Sequence, residues 1–382
     1  MIGSFRLPVS LTSSGDTTAP TILTATVEDA NPDKLVVVFS EVVTIANTTG
    51  LTITGAATPT LSAPTGSGSN TITFTLSTAL TNGQSVTLNV ASSNTIKDTA
   101  NNSLAATTKP ITNNVAEAVS YEAEATTYMN ALAIPDNANP SIYPNKTNNQ
   151  IWVAVDNLVK KLKTDALLAV VNTAFLKLGN TANQQAINLK DVNANGTYYG
   201  GWIFNELGAI ANGTTSYFDS GVSLYVINGS GDGGFTQVLH TIELGGHTYP
   251  CSIGALSSST NRFSYYPYWG NDLSKNTVFI KGILVTDIPE GAGTGIHTLV
   301  AEGLDGKHYR NGSLATTKAF SGGNPNSPVY EGAYNDNYSA DLYFKGNIGA
   351  SVYHGGLTAT QTTNLYNALN DFEIAIGRKQ YV

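Results

Sequence analysis

The sequence predicts a mainly β protein, built as two β-sandwiches with a small helical element between them and a helix at the C-terminus. Three observations predict it. Turn residues recur about every 8–12 positions through the first hundred residues. Between them, apolar and polar residues alternate with the period of two that a half-buried strand requires. Helical periodicity is confined to the middle of the chain and its last twenty-odd residues. At 382 residues the chain is long enough for two or three domains, each with its own core.

Residues 1–15 read as an irregular arm. Phe5, Leu7 and Val9 alternate with Arg6, Pro8 and Ser10, so the arm either frays or adds to the edge of a partner's sheet. Residues 16–115 read as one β-domain. Strands are expected at 22–27, 34–39 (the apolar run KLVVVF), 51–54, 71–76 and 84–90, the last introduced by an Asn82-Gly83 turn.

Residues 116–190 form the helical element. A helix over 117–132 ends before Pro135, and 137–150 is a Pro/Asn-rich loop. Ile151, Val155, Leu158, Val159 and Leu162 then share one face of an amphipathic helix, with Lys160, Lys161 and Lys163 away from it. Thr164 is placed to cap a second helix over 165–178, with Leu167, Leu168, Val171 and Phe175 inward and Gly179 ending it.

Residues 191–382 return to strands, expected at 222–227, 235–244, 249–256, 277–285, 341–344 and 352–354. The clearest hairpin lies in 294–320. There Ile296, Thr298 and Val300 alternate with His297 and Leu299, and turns are expected at Asp305-Gly306 and Asn311-Gly312. Thr358 and Gln361 spell a capping box for the last helix. Leu365, Tyr366, Leu369, Phe372 and Ile376 make its apolar stripe, and Gly377 stops it.

Charged residues are only 12% of the chain, net charge is −8 and the isoelectric point is about 5.1. An ordinary soluble protein carries roughly 25%; Thr, Asn, Ser and Gly supply the polar surface instead. The balance argues against nucleic acid, which needs clustered cations. Cys251 is the sole cysteine, so no intramolecular disulfide or cysteine zinc site forms, and it is expected in the core. No run approaches the roughly 18–20 apolar residues of a membrane span. The first residues lack a charged stretch followed by an apolar core, so the expectation is a protein released by cell lysis rather than by a signal peptide.

Several phrases resemble known families. DTTAPTILTATV, LVVVFSEVV, TNGQSVTLNV and IKDTANNSLA, in that order, resemble the bacterial Ig-like modules of surface and phage virion proteins. The D-G-K-x-Y-x-N-G hairpin resembles the core of concanavalin A-like (LamG-type) jelly rolls. The helical pair ending in Asn188-Leu-Lys-Asp191, the Ala211-Asn-Gly-x-x-x-Tyr217 phrase and the terminal GLT…LYxALxxF…IGR resemble tailed-phage virion modules across about residues 118–380. The resemblance implies a virion structural protein projecting as a fibre, spike or decoration. Its partners would be other capsid or tail proteins, and it would form a homo-oligomer such as a trimer. It also implies that the arm around Phe5, Leu7 and Val9 attaches to the particle while the jelly roll faces out to host glycan or receptor. A bacterial surface adhesin or carbohydrate-binding module is the alternative.

Enzymatic chemistry is not expected. The E-x-D-x-E spacing of concanavalin-like glycosidases is absent, and Glu302 and Asp305, three apart on a strand, would face opposite ways. No G-x-S-x-G elbow occurs, and no histidine pair has metal spacing. Glu41, Asp98 and Asp232 are carboxylates that calcium takes. Hydrogen bonding at strand ends explains the first two and a flexible glycine-rich loop the third, so no cofactor is expected, with bound calcium as the alternative. The candidate ligand surface is aromatic. Residues 262–272 read as a loop carrying Tyr265, Tyr266, Tyr268, Trp269, Asn271 and Asp272, and Tyr334, Asn335 and Asp336 lie in a second such stretch. Aromatic faces stack on sugar C–H patches while amides and acids read hydroxyls; the same residues would also serve packing or an oligomer interface.

Overall fold

The computed structural model of the protein describes residues 15–116, 120–229, 231–244, 247–270, 272–273, 275–289 and 293–381. The chain is mainly β and divides into two compact units between Ser120 and Tyr121. Among the described residues no helix is long and apolar enough to cross a membrane.

The first unit is an eight-stranded sandwich. Its strands run in the order Leu51–Gly55, Val86–Val90, Thr107–Asn114, Ile22–Glu28, Lys34–Ile45, Ser69–Leu76 and Leu61–Thr65, and Ile96–Asp98 pairs with Lys34–Ile45. Strand alternation sets the core: Leu35, Val37 and Phe39 are buried with Val27, Ile72 and Phe74, while Val36 and Val38 between them are half-buried. Lys34–Ile45 runs past the expected end at residue 39. Three strands escape sequence reading, among them Thr107–Asn114, where polar residues and Pro110 hide a strand that pairs in parallel with Ile22–Glu28.

The second unit has three layers. The middle sheet runs Ile203–Asn205, Gly208–Asn212, Lys345–Gly355, Gly233–Ile242, Gly295–Glu302, Asp305–Arg310, Ser313–Ala319, with Val171–Phe175 also pairing to Lys345–Gly355. The outer sheet runs Thr197–Tyr199, Tyr217–Asp219, Tyr330–Glu331, Ile253–Ser258, Asn261–Tyr266, Lys275–Ile280, Ile283–Pro289. A hairpin of Tyr334–Asp336 and Ser339–Asp341 attaches to Ile253–Ser258. Phe235, Leu239, Leu299 and Tyr353 of the middle sheet meet Phe218, Ile253, Phe263 and Tyr265 of the outer one in one core. On its other side the middle sheet buries Val238, Ile296, Val300 and Val352 against the helices Ala123–Ala131, Asn148–Thr164 and Ala359–Ala375. The helices therefore share a core with the sandwich.

Local chemistry explains the helix ends. Thr147 with Gln150 and Thr358 with Gln361 form capping boxes that satisfy free N–H groups. The lysines leave the seam as expected: Lys161 reaches Asp371 at 2.6 Å and Lys163 reaches Glu122 and Glu124 at 2.7 Å. The Asn311-Gly312 turn also forms, with φ of +48° and +76° at its two central residues.

Five expectations are corrected. Residues 165–178 are not a second helix: the chain turns at Ala166 (φ +53°), and Val171–Phe175 is a strand that finds its hydrogen bonds on Lys345–Gly355. Leu167, Val171 and Phe175 are buried as expected, so burial survived although the period did not. Residues 222–227 give a short helix, Leu224–Asn228, because Ser223 Oγ accepts from Val226 N–H and caps it. Residues 277–285 are two strands separated by Lys281-Gly282 at φ +45° and +81°. The hairpin's first turn falls at Gly303-Leu304, two residues before Asp305-Gly306. The first helix is the nine-residue Ala123–Ala131; residues 117–119 lie outside the described ones.

Candidate functional site

Pairing register decides which side chains of the outer sheet face away from the core. Tyr199 lies opposite Tyr217, and Asp219 lies opposite both Thr197 and Tyr330, so these five share the outward side. Tyr198, Phe218 and Glu331, one residue along, point inward. There they enclose Lys177, whose Nζ lies 3.3 Å from the centre of the Phe218 ring and 5.0 Å from those of Tyr198 and Phe175. Glu331 Oε2 is 3.0 Å from that ammonium, and Tyr353 OH donates to Glu331 Oε1 at 2.8 Å. Burial lowers the Lys177 pKa to about 8, opposed by Glu331. This enclosed pair ties the strand carrying Tyr330 to the middle sheet from beneath.

On the outward side the rings stack. Tyr199 and Tyr217 lie 4.7 Å apart at 11°, and Tyr217 and Tyr330 lie 4.8 Å apart at 30°. Trp202 Nε1 donates to the carbonyls of Tyr199 (2.9 Å) and Tyr217 (3.2 Å), which fastens the first pair. Tyr199 is on the terminal strand and 44% exposed; among the described residues only Tyr217 stacks on it. One aromatic face is thereby offered at the edge of the row. Tyr338, 66% exposed, and Tyr343 act on the same group of hydroxyls.

Burial raises the Asp219 carboxyl above its usual value, opposed by the Gly221 N–H that donates to Oδ1 at 2.9 Å. Burial, then Asp219, Tyr217 and Tyr199, push the Tyr330 hydroxyl up to about 12. Burial, Tyr199, Asp219 and Tyr343 raise that of Tyr217.

The residues singled out in the sequence fall differently. Residues 262–272 are not a loop: Asn261–Tyr266 is a strand, and only the residues after it turn, through Gly270 at φ +67°. Tyr265, Tyr266 and Tyr268 are each 0% exposed, so their rings offer no face to a ligand. Tyr265 points into the core and stacks on His297 at 4.4 Å. Tyr266 is on the outward side but is covered by Trp269 and Tyr334, and its hydroxyl contacts Arg262. Tyr334 and Asn335 are buried as well. Asn335 Nδ2 donates to Pro328 O (2.7 Å) and its Oδ1 accepts from Tyr338 N–H (2.6 Å), which is a turn-holding role. Trp269 is half-buried against the 41% exposed Tyr249 (4.4 Å), Asp272 bridges back to it, and Asp336 is exposed. Asn271, Phe5, Leu7 and Val9 lie outside the described residues. Sequence reading passed over Tyr199 and Tyr217, for which adjacent Tyr198-Tyr199 was the available signal.

The carboxylates and histidines are otherwise employed. Asp98 is buried and accepts from Asn102 N–H and Nδ2, both at 2.7 Å, the strand-end role expected of it. Its carboxylate lies with those of Asp16 and Glu41 within 4.8 Å, and burial with these two like charges raises the Glu41 pKa. Asp232 accepts from Gly303 N–H at 3.0 Å. Glu302 and Asp305 do not face opposite ways; they are paired across the Gly303-Leu304 turn, which puts them on one side, and Glu302 takes Lys307. His240 sits between Glu373 (3.2 Å) and Tyr381 (2.6 Å), and Arg378 donates to the carbonyls of Glu206, Leu176 and Lys177, locking the C-terminus into the unit.

Residues 16–123 match the bacterial Ig-like domain family, so the first unit is of bacterial Ig-like type. No curated protein matches the chain. Three solved structures illustrate its likenesses. The N-terminal part of the bacterial S-layer protein SbsC is 23% identical over 25% of this chain and 24% of that one, at a TM-score of 0.23. Domain 4 of AbnA, an extracellular arabinanase of Geobacillus stearothermophilus solved with arabinotriose, is 18% identical over 52% and 98%, at 0.36. A Trypanosoma rangeli sialidase mutant is 9% identical over 78% and 44%, at 0.41. The chain thus spans about a quarter of the S-layer fragment and under half of the sialidase. At these TM-scores the likenesses assign neither ligand nor activity.

Proposed function

We propose that the second unit is a glycan-binding module and that the Ig-like unit serves as its spacer on an external surface. The observation that carries this is the outward row of Tyr199, Tyr217 and Tyr330 beside Asp219, in which Tyr199 at the edge is 44% exposed while Tyr330 is buried. A rigid ring with a free face, in a row with a carboxylate that accepts hydrogen bonds from hydroxyls, is the pairing of apolar surface and a few placed polar groups that small-ligand sites use. Rigidity matters, because rings already ordered lose little entropy on binding. The reading is of binding without turnover. The carrier is proposed to be a phage particle, on the low charge content and the virion-like phrases of the sequence. The rival carrier is a bacterial cell surface.

Binding is tested by screening the 382-residue protein on a glycan array and titrating the best ligand into wild type and Tyr199→Ala. Loss of a stacking anchor is expected to weaken binding about 10–100-fold. Equal affinity of the variant would remove the site. Immunogold labelling separates the carriers: label on purified particles supports the virion, and label on intact host cells but not on particles overturns it.

A further inference from the structure

We infer that Lys177 and Glu331 join into an intramolecular amide, a cross-link between the segment that follows Val171–Phe175 and the outer-sheet strand Tyr330–Glu331. The inference is independent of glycan binding. It comes from how this pair is housed. Lys177 and Glu331 are each 0% exposed, and Lys177 Nζ lies 3.0 Å from Glu331 Oε2. The contact lacks hydrogen-bond alignment, and neither Nζ nor Oε2 has another hydrogen-bond partner among the described residues. Aromatic faces surround the ammonium instead, with the Phe218 ring nearest. An ion pair held this way leaves buried N–H donors and a carboxylate oxygen without aligned partners, which is costly. An amide keeps one N–H and one carbonyl, so it removes most of that cost.

The backbone and a neighbouring hydroxyl hold the two groups in this approach. Lys177 has a φ of +53°, a left-handed conformation uncommon outside glycine, and Arg378 Nη2 donates to its carbonyl at 2.8 Å. Tyr353 OH donates to Glu331 Oε1 at 2.8 Å, which fixes the carboxyl.

The step balances without a co-reactant. A proton passes from Lys177 Nζ to Glu331 Oε2, giving a neutral amine and acid. Burial favours the uncharged amine, which is the nucleophilic form. The Nζ lone pair then forms a bond to Glu331 Cδ, and the Tyr353 hydroxyl meets the negative charge that develops on Oε1. The Cδ–Oε2 bond breaks, and Oε2 leaves as water with its own proton and one more from Nζ. Holding both groups in one enclosed site supplies the effective concentration that amide formation in open water lacks. Exclusion of water slows the reverse hydrolysis.

The test is the intact mass of the denatured 382-residue protein, followed by peptide mapping. The expected mass is one water below that of the sequence, with a branched peptide joining the segments that carry Lys177 and Glu331. Lys177→Met should show the full mass of its own sequence. Tyr353→Phe keeps the ring and loses the donor; in cell-free synthesis sampled over time it should close about a hundredfold more slowly than wild type. Full sequence mass in folded wild type would overturn the inference. So would a water loss that persists in Lys177→Met or maps to Asp305-Gly306 as a cyclic imide. Closure as fast in Tyr353→Phe as in wild type would overturn the step as drawn.

Discussion

Acid should unfold the second unit well before the first, and the buried histidines set the size of the effect. His297, His308 and His354 are each 0% exposed. Burial, reinforced for His308 by Arg310, lowers the His308 pKa to about 3. Burial lowers that of His354 to about 4, opposed by carbonyls, and holds that of His297 well below the ordinary value with help from His308 and Arg310. His297 Nδ1 and His308 Nε2 share one hydrogen bond at 3.1 Å, which needs at least one ring to be neutral on that edge. Because the folded pKa values lie below the unfolded value of about 6.5, the unfolded state binds more protons and stability falls as pH drops below about 6.5. At about pH 5 each such histidine has lost roughly 1.5 units at about 1.4 kcal/mol per unit, or about 2 kcal/mol. His308 and His354 together make about 4 kcal/mol, and His297 adds in the same direction, against a typical total of about 5–15 kcal/mol. All five histidines lie in the second unit, so the first is an internal control. Thermal melts at about pH 7 and about pH 5 should show a large fall in the second unit's Tm and a small one in the first, with His354→Asn flattening the dependence. A second-unit Tm that holds steady between the two would refute the reasoning.

Other perturbations follow from single contacts. Lys177→Met strands Glu331 in the core and should cost the second unit about 3–5 kcal/mol in urea, part of it recovered in the double variant with Glu331→Gln. Gly312→Ala should cost at least about 1 kcal/mol, because φ is +76° and the new Cβ would sit 2.6 Å from the Tyr366 ring. Glu41→Gln relieves like-charge crowding with Asp16 and Asp98 and should raise the first unit's Tm; a fall would mean that the three carboxylates hold a cation.

Much of the architecture was legible because it follows from local rules. Alternation found Ile22–Glu28 and Ser69–Leu76, Asn311-Gly312 announced its own turn, and Thr358 with Gln361 announced the last helix. The failures share a cause, which is that partners distant in sequence decide the outcome. Val171–Phe175 has helix-compatible spacing and becomes a strand because Lys345–Gly355 offers it an edge, 170-odd residues away. The exposure of the aromatic residues was hidden for the same reason. Tyr265 and Tyr266 are neighbours, yet one enters the core and the other is covered by Tyr334, so aromatic density marked a well-packed sheet rather than an open face. Tyr199, Tyr217 and Tyr330 come from three separated segments and meet only through register.

The most direct test of the glycan-binding claim is a calorimetric titration of the best array ligand into wild type, Tyr199→Ala and Tyr249→Ala, with melts to confirm that all three are folded. Saturable binding is expected from wild type and Tyr249→Ala, and binding at least about tenfold weaker from Tyr199→Ala. Undiminished binding by folded Tyr199→Ala would contradict that claim.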